Sequence, residues 1–267
     1  MKTIYKCFPG GKSKVLTMSY DDGLKADRKL IEIFNKYGIK GTFHLNAGLM
    51  NHDDRRIPPD EVRSLYQGHE VACHTLTHPT IARCPDAMAA QQVLEDRKLL
   101  EEMTGYAVRG MSYPNGSFSK QIKEMLPFLG IEYSRIVGSS KNFNMPEDFY
   151  AWESTCHHSH QLLELGQEFS ELCKPQYLYM MYVWGHSYEF DRDNNWELME
   201  EFCKNLGGRE DIWFATNIEI VDCLKAFDRL IFSAAGNFVY NPSADSVWIS
   251  VDGVIVELKG GSQTNLH

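Results

Sequence analysis

His74 and His78 stand four residues apart in the run His74-Thr75-Leu76-Thr77-His78-Pro79. A residue before proline is disfavoured in a helix, so the pair sits in a tight turn, where both imidazoles can still face one side. Two histidines and one carboxylate form a common hydrolytic zinc set that leaves a position open for water. Asp21-Asp22-Gly23 offers the carboxylate. Neighbouring residues on an extended backbone point to opposite faces, so one aspartate ligates and the other is free as a base. Two further polar clusters are Ser112-Tyr113-Pro114-Asn115-Gly116 and Trp184-Gly185-His186-Ser187. Each cluster alone has an ordinary explanation. Asp-Asp-Gly is a common turn, a His pair is commonly solvated, and Pro and Gly mark loops.

The elements around these clusters give them a common address. Short apolar runs at residues 15–20, 42–45, 70–74, 108–113, 132–137, 176–184 and 211–215 read as strands. Helical patterns occupy 26–37, 85–103, 119–129, 159–172, 196–206 and 217–230, with a short one ending at 67. Residues 138–152 read as irregular. Strand–helix alternation of this kind indicates βαβ units and a parallel sheet. The expected fold class is α/β: a distorted, incomplete (β/α) barrel of about seven parallel strands, with a small C-terminal β appendage. The barrel is expected over residues 1–230. Residues 231–267 form the antiparallel appendage, which includes a hairpin turning on Asp252-Gly253. All four polar clusters fall at C-terminal strand ends, the face where such barrels place their active sites.

The chain has 267 residues, enough for one such domain, and a formal charge of −9, which does not suit a nucleic-acid binder or an anionic membrane surface. Seven cysteines with no CxxC do not form a disulfide framework, and no apolar run is long enough to span a bilayer. The initial segment carries no signal-peptide pattern, so the expectation is a cytoplasmic protein.

In order and together, SYDDG, HTLTH, YPNG and the late WGH resemble the motifs of the polysaccharide deacetylase family, carbohydrate esterase family 4. The resemblance runs over roughly residues 15–215. It implies that Asp21 is the general base, that Asp22, His74 and His78 hold one divalent ion, and that His186 is the general acid. Zinc is the expected ion, with Co2+, Mn2+ and Fe2+ as alternatives. The implied activity is removal of an N-acetyl group from an amino sugar or polysaccharide. Rival readings are an amide or imide hydrolase acting on a small non-sugar substrate, and a non-catalytic saccharide-binding protein.

The third cluster departs from the family pattern, in which many members carry an arginine that pairs with the catalytic aspartate. Ser112 stands at that position. Arg135, near the end of the fifth strand, is the expected substitute and is also counted among the substrate-contact candidates; Arg109 should lie too deep. The Asn115 backbone N–H is expected to serve the oxyanion. Tyr113, Trp152 and Trp184 are candidates for stacking on a sugar ring, and His44 for lining the site. Cys156-His157-His158 is a second candidate metal cluster, set against local packing because adjacent ligands point apart.

Overall fold

The computed structural model describes residues 2–266; Met1 and His267 lie outside the described residues. Strand β1 (Ile4–Cys7) precedes β2 (Lys14–Asp21), which is buried along its whole length, as a central strand of a parallel sheet must be. Helix α1 (Asp27–Tyr37) follows and ends on Gly38, whose φ of 68° closes the helix in the left-handed region. In chain order come β3 (Gly41–Leu45), α2 (Val62–Leu65), β4 (Glu70–Cys73), α3 (Asp86–Thr104), β5 (Gly110–Ser112), α4 (Lys120–Met125) and β6 (Tyr133–Arg135). The second half has β7 (Cys156–His157), α5 (Leu162–Glu171), β8 (Tyr179–Gly185), α6 (Tyr188–Arg192), α7 (Trp196–Leu206), β9 (Ile212–Phe214) and α8 (Asn217–Asp228).

The central sheet has eight parallel strands in the order β6-β5-β4-β3-β2-β8-β7, with β9 also on β2. β9 pairs with the start of β2, at Lys14–Leu16, and β3 with its end, at Met18–Asp21. This is the curled α/β half-barrel expected from the alternation, with one strand more than the apolar runs predict. The additional strand, β7, falls just beyond the segment expected to be irregular. Upstream of it Trp152 bonds to β6 through Trp152 N–H to Ser134 O and Ile136 N–H to Trp152 O. Thr155 and His158 donate to Tyr182 and Trp184 of β8. One short segment therefore bridges the two flanks of the curled sheet.

Two small antiparallel sheets follow, β1-β12-β13 and β10-β11-β14, built from β10 (Ile231–Phe232), β11 (Phe238–Asn241), β12 (Val247–Val251), β13 (Val254–Leu258) and β14 (Ser262–Asn265). Asp252 (φ 49°) and Gly253 (φ 88°) form the expected two-residue turn. β1, which no sequence pattern predicts, pairs with β12 from Ile4↔Val251 to Cys7↔Trp248. A cluster of Phe227, Val239, Ile249, Val251 and Leu258 seats these sheets on the end of α8. The cap of α8 is Thr216, in a capping box with Glu219. No helix among the described residues is long and apolar enough to cross a membrane.

Candidate active site

Strand register brings the polar clusters to one rim. Asp21, the last residue of β2, is level with His44 of β3, Leu45 with Cys73 immediately before His74, and Ser112 with Arg135. Four non-glycine residues at this rim adopt the left-handed region: Asp22 (φ 81°), Thr75 (φ 63°), His78 (φ 58°) and Asn115 (φ 56°). Such conformations cost on the order of 1–3 kcal/mol each and persist where surrounding structure enforces them, most often at functional sites. At Asp22 the turn is held by its N–H donating to His44 O and by Arg56 donating to its carbonyl.

Asp22 is the point of convergence. Its Oδ1 lies 3.9 Å from His74 Nε2 and 3.8 Å from His78 Nε2, and its Oδ2 lies 4.0 Å from His186 Nε2. His74 Nδ1 is 2.9 Å from the Ser112 carbonyl oxygen, which fixes the proton on Nδ1 and leaves the Nε2 lone pair facing Asp22. Burial pushes the His74 pKa down to about 4, keeping the ring in its neutral, ligating form. The donor set Asp22, His74 and His78 therefore fits a divalent cation: bonds of about 2.0–2.2 Å from each atom span gaps of this size.

Asp21 is sealed behind this triad. Its Oδ1 accepts from Ser112 Oγ at 3.0 Å and lies 3.3 Å from His44 Nδ1, while its Oδ2 accepts from the fully buried Arg135 guanidinium. Burial alone would raise the Asp21 carboxyl. Arg135, with His74 and His44, outweighs that and holds it well below the usual carboxylate range. Burial in turn lowers the His44 pKa. Arg135 thus occupies the position expected of the substitute arginine. As a substrate contact it is a correction: it is 0% exposed, and its guanidinium sits 4.4 Å from the centroid of the Trp184 ring. Arg109 lies away from this rim and pairs with Glu132 and Asp222.

Two aromatic candidates are also corrected. Tyr113 and Trp152 are each 1% exposed and cannot present a ring face to a sugar. Tyr113 donates to the Tyr150 carbonyl and stacks on Phe118; Trp152 packs against Tyr133, Phe149 and Tyr182. Trp184, 8% exposed, is a shelf beneath Arg135 whose edge approaches His157 and His186. Asn115 is exposed at the second position of a single 3-10 turn, where a backbone N–H has no intrahelical partner.

His186 follows the end of β8. Burial opposes its charge, but Glu189, Asp21 and Asp22 outweigh burial and raise its pKa. Sequence reasoning missed Glu189 three residues on, Ser112 as a donor to the base, and the groove beside Asp22. That groove, of about 700 Å³, is bordered by Asp22, Lys25, Arg55, Arg56 and Tyr188. Only the spacing of Glu189 from His186, one helical turn, signals its role.

The family model described as polysaccharide deacetylase matches residues 9–134. A peptidoglycan-N-acetylglucosamine deacetylase from Listeria monocytogenes is 23% identical over 124 residues, which is 46% of this chain and 26% of that protein. A chitooligosaccharide deacetylase from Sinorhizobium fredii is 27% identical over 125 residues, 46% of this chain and 55% of that protein. The chain thus spans about a quarter to a half of the length of these curated relatives. A crystal structure of a Mycobacterium smegmatis protein described as a polysaccharide deacetylase covers 84% of this chain and 94% of its own, with TM-score 0.61 and 16% identity, a likeness of fold. The matched segment contains both aspartates, the His74–His78 turn and the Ser112–Gly116 cluster, and over residues 9–134 the chain is similar to the polysaccharide deacetylase family.

Proposed function

We propose that this chain is a metal-dependent hydrolase that removes an N-acetyl group from an amino sugar or oligosaccharide. One observation carries the reading: Asp22, His74 and His78 converge around one point, with the buried carboxylate of Asp21 behind it and His186 beside it. Asp22, His74 and His78 would hold the ion, zinc on this donor set, with Co2+, Mn2+ or Fe2+ as substitutes. When bound, that ion supplies Lewis acidity toward the amide carbonyl and lowers the pKa of water.

The residues of the chain do the rest. Asp21 accepts the proton of the attacking water; Arg135, Ser112 and His44 hold it ionised and oriented for that transfer. The Asn115 N–H donates to the oxygen on which negative charge develops. His186 Nε2–H donates its proton to the amine nitrogen as the C–N bond breaks, without which an amine is a poor leaving group. The products are acetate and a free amino sugar.

By description one relative named above is a peptidoglycan-N-acetylglucosamine deacetylase and the other a chitooligosaccharide deacetylase, which favours a saccharide over a small cyclic amide. The intact ligand set and base argue against a non-catalytic saccharide binder. All seven cysteines are free thiols, which supports a reducing, cytoplasmic setting. Acetate release from acetylated chitooligosaccharides, set against hydrolysis of small cyclic amides, tests the reading. Turnover of the sugars alone is expected; turnover of the cyclic amides alone would transfer the assignment to the imide class. His74→Ala should lose the zinc held with Asp22 and His78 together with activity, and a zinc content equal to wild type in that variant would overturn the ligand set.

A further inference from the structure

Beside the proposed catalytic centre, a second group of side chains converges on one atom. Glu189 Oε2, on α6, lies 3.0 Å from His157 Nε2 and 3.3 Å from His158 Nε2, both at the end of β7. The same oxygen lies 3.2 Å from the His186 backbone N and 3.5 Å from His186 Nδ1. Four nitrogens thus crowd one carboxylate oxygen, which has about two lone pairs to offer. The other oxygen, Oε1, faces only the Arg192 guanidinium, at 3.5 Å. The group is close to dry: the side chains of His157, His158 and Glu189 are 12%, 2% and 11% exposed. Two of its ring nitrogens, His158 Nδ1 and His186 Nδ1, are buried without a hydrogen-bond partner.

We infer that His157, His158 and Glu189 form a second binding site for a divalent transition metal, zinc by the chemistry of two imidazoles and a carboxylate. One ligand atom from each of the three lies within 4.8 Å of the others. The His157 ring is held by Ser159, whose backbone N–H donates to its Nδ1 at 3.2 Å, so its proton faces Glu189 from Nε2; ligation through Nε2 requires that proton to move to Nδ1, where Ser159 Oγ, 2.7 Å away, can accept it. The His158 ring is fixed in place between Tyr20 and Phe190, at centroid distances of 5.7 and 4.2 Å. Gly185 leaves that ring its space: a Cβ there would lie 2.0 Å from His158 Nδ1. An ion at this position converts an over-subscribed carboxylate oxygen into one ligand among three. It also ties β7 to α6 across the segment that carries His186, whose Nδ1 lies 3.5 Å from the same Glu189 oxygen. Adjacent histidines reach one acceptor because β7 ends at His157, so His158 no longer follows strand alternation.

Counting zinc per folded chain tests this without any appeal to activity. Purified protein is dialysed against buffered zinc and analysed by elemental analysis, with circular dichroism to verify folding. Wild type should hold two ions. His157→Ala, and separately the nearly isosteric Glu189→Gln, should each hold one. The double variant His74→Ala/His78→Ala should also hold one, and adding Glu189→Gln to it should leave none. A wild-type count, one or two, that neither His157→Ala nor Glu189→Gln lowers would overturn the second site. The two sites are emptied by different substitutions, so either can fail without altering the count expected at the other.

Discussion

Replacing Arg135 by methionine separates the electrostatic role of that residue from its packing. In the folded protein Arg135 and Asp21 are 0% and 3% exposed, so neither charge has appreciable water to fall back on. Two unit charges in contact at ~3 Å attract by about 5–6 kcal/mol at an effective dielectric of ~20. Ser112 and His44 still face Asp21 in the variant and offset part of the loss. Arg135→Met should therefore destabilise the chain by about 3–5 kcal/mol, the usual cost of leaving one partner of a buried pair alone. Its pH dependence should invert. In the wild type the Asp21 pKa is depressed, so its contribution is present above pH ~4 and lost as pH falls through the depressed value. Without Arg135, burial dominates and the carboxyl rises above its ordinary value. That contribution is then present below pH ~4 and lost as pH rises. Urea unfolding in a chelating buffer, from pH 4.5 to 8, should show the gap between wild type and variant widening with pH by about 1.4 kcal/mol per unit of upward shift. Arg135→Met/Asp21→Asn should recover most of the stability, a coupling of at least ~2 kcal/mol. Parallel pH profiles, or a double variant as unstable as the sum of the singles, would refute the argument.

Three further outcomes are expected. His186→Ala should reduce hydrolysis of N-acetyl substrates by ~10²-fold or more while sparing an activated aryl acetate, whose phenolate leaves unaided; equal losses on both would assign His186 another task. Gly185→Ala should cost about 1–3 kcal/mol by thermal or urea unfolding, because the new methyl meets the His158 ring; unchanged stability would show that the ring yields freely. Asp27, which accepts from Tyr66 and Ser187, has its pKa pushed up to about 7 by burial. Its raised pKa contributes stability that is present below pH ~4 and declines as pH climbs toward 7, so Asp27→Asn should flatten that part of the stability profile. A slope identical to wild type would remove Asp27 from the account.

Order and residue type along the chain are enough to find the metal-type triad and the barrel. Paired aspartates, a His-x-x-x-His turn and strand–helix alternation are local signals that survive without coordinates. The exchange of an arginine between strands is also legible, because a missing cation at Ser112 raises the question of what replaces it. Burial is not. Trp152 and Tyr113 border rim motifs in sequence, yet their rings turn into the core, and side-chain direction at an irregular segment follows no period. β7 has two residues and α6 five, too short for any periodic pattern to register. Glu189 lies on that short helix, so His157 and His158 emerge as its neighbours only when β7 and β8 are laid side by side.

The pairing of β1 with β12 sets an order of events during synthesis. When β9 has been made, the central sheet has all its strands, but Ile4–Cys7 still has no partner. At about 5–20 residues per second, the ribosome needs roughly two to seven seconds more to reach β12. During that interval the nascent chain carries an open strand edge, the kind of surface that invites pairing with a neighbouring polypeptide. Lys6, in the middle of that strand, places a charge on the waiting edge and later pairs with Asp228 at the end of α8. The same side chain can thus discourage the wrong partner early and fasten the right one late.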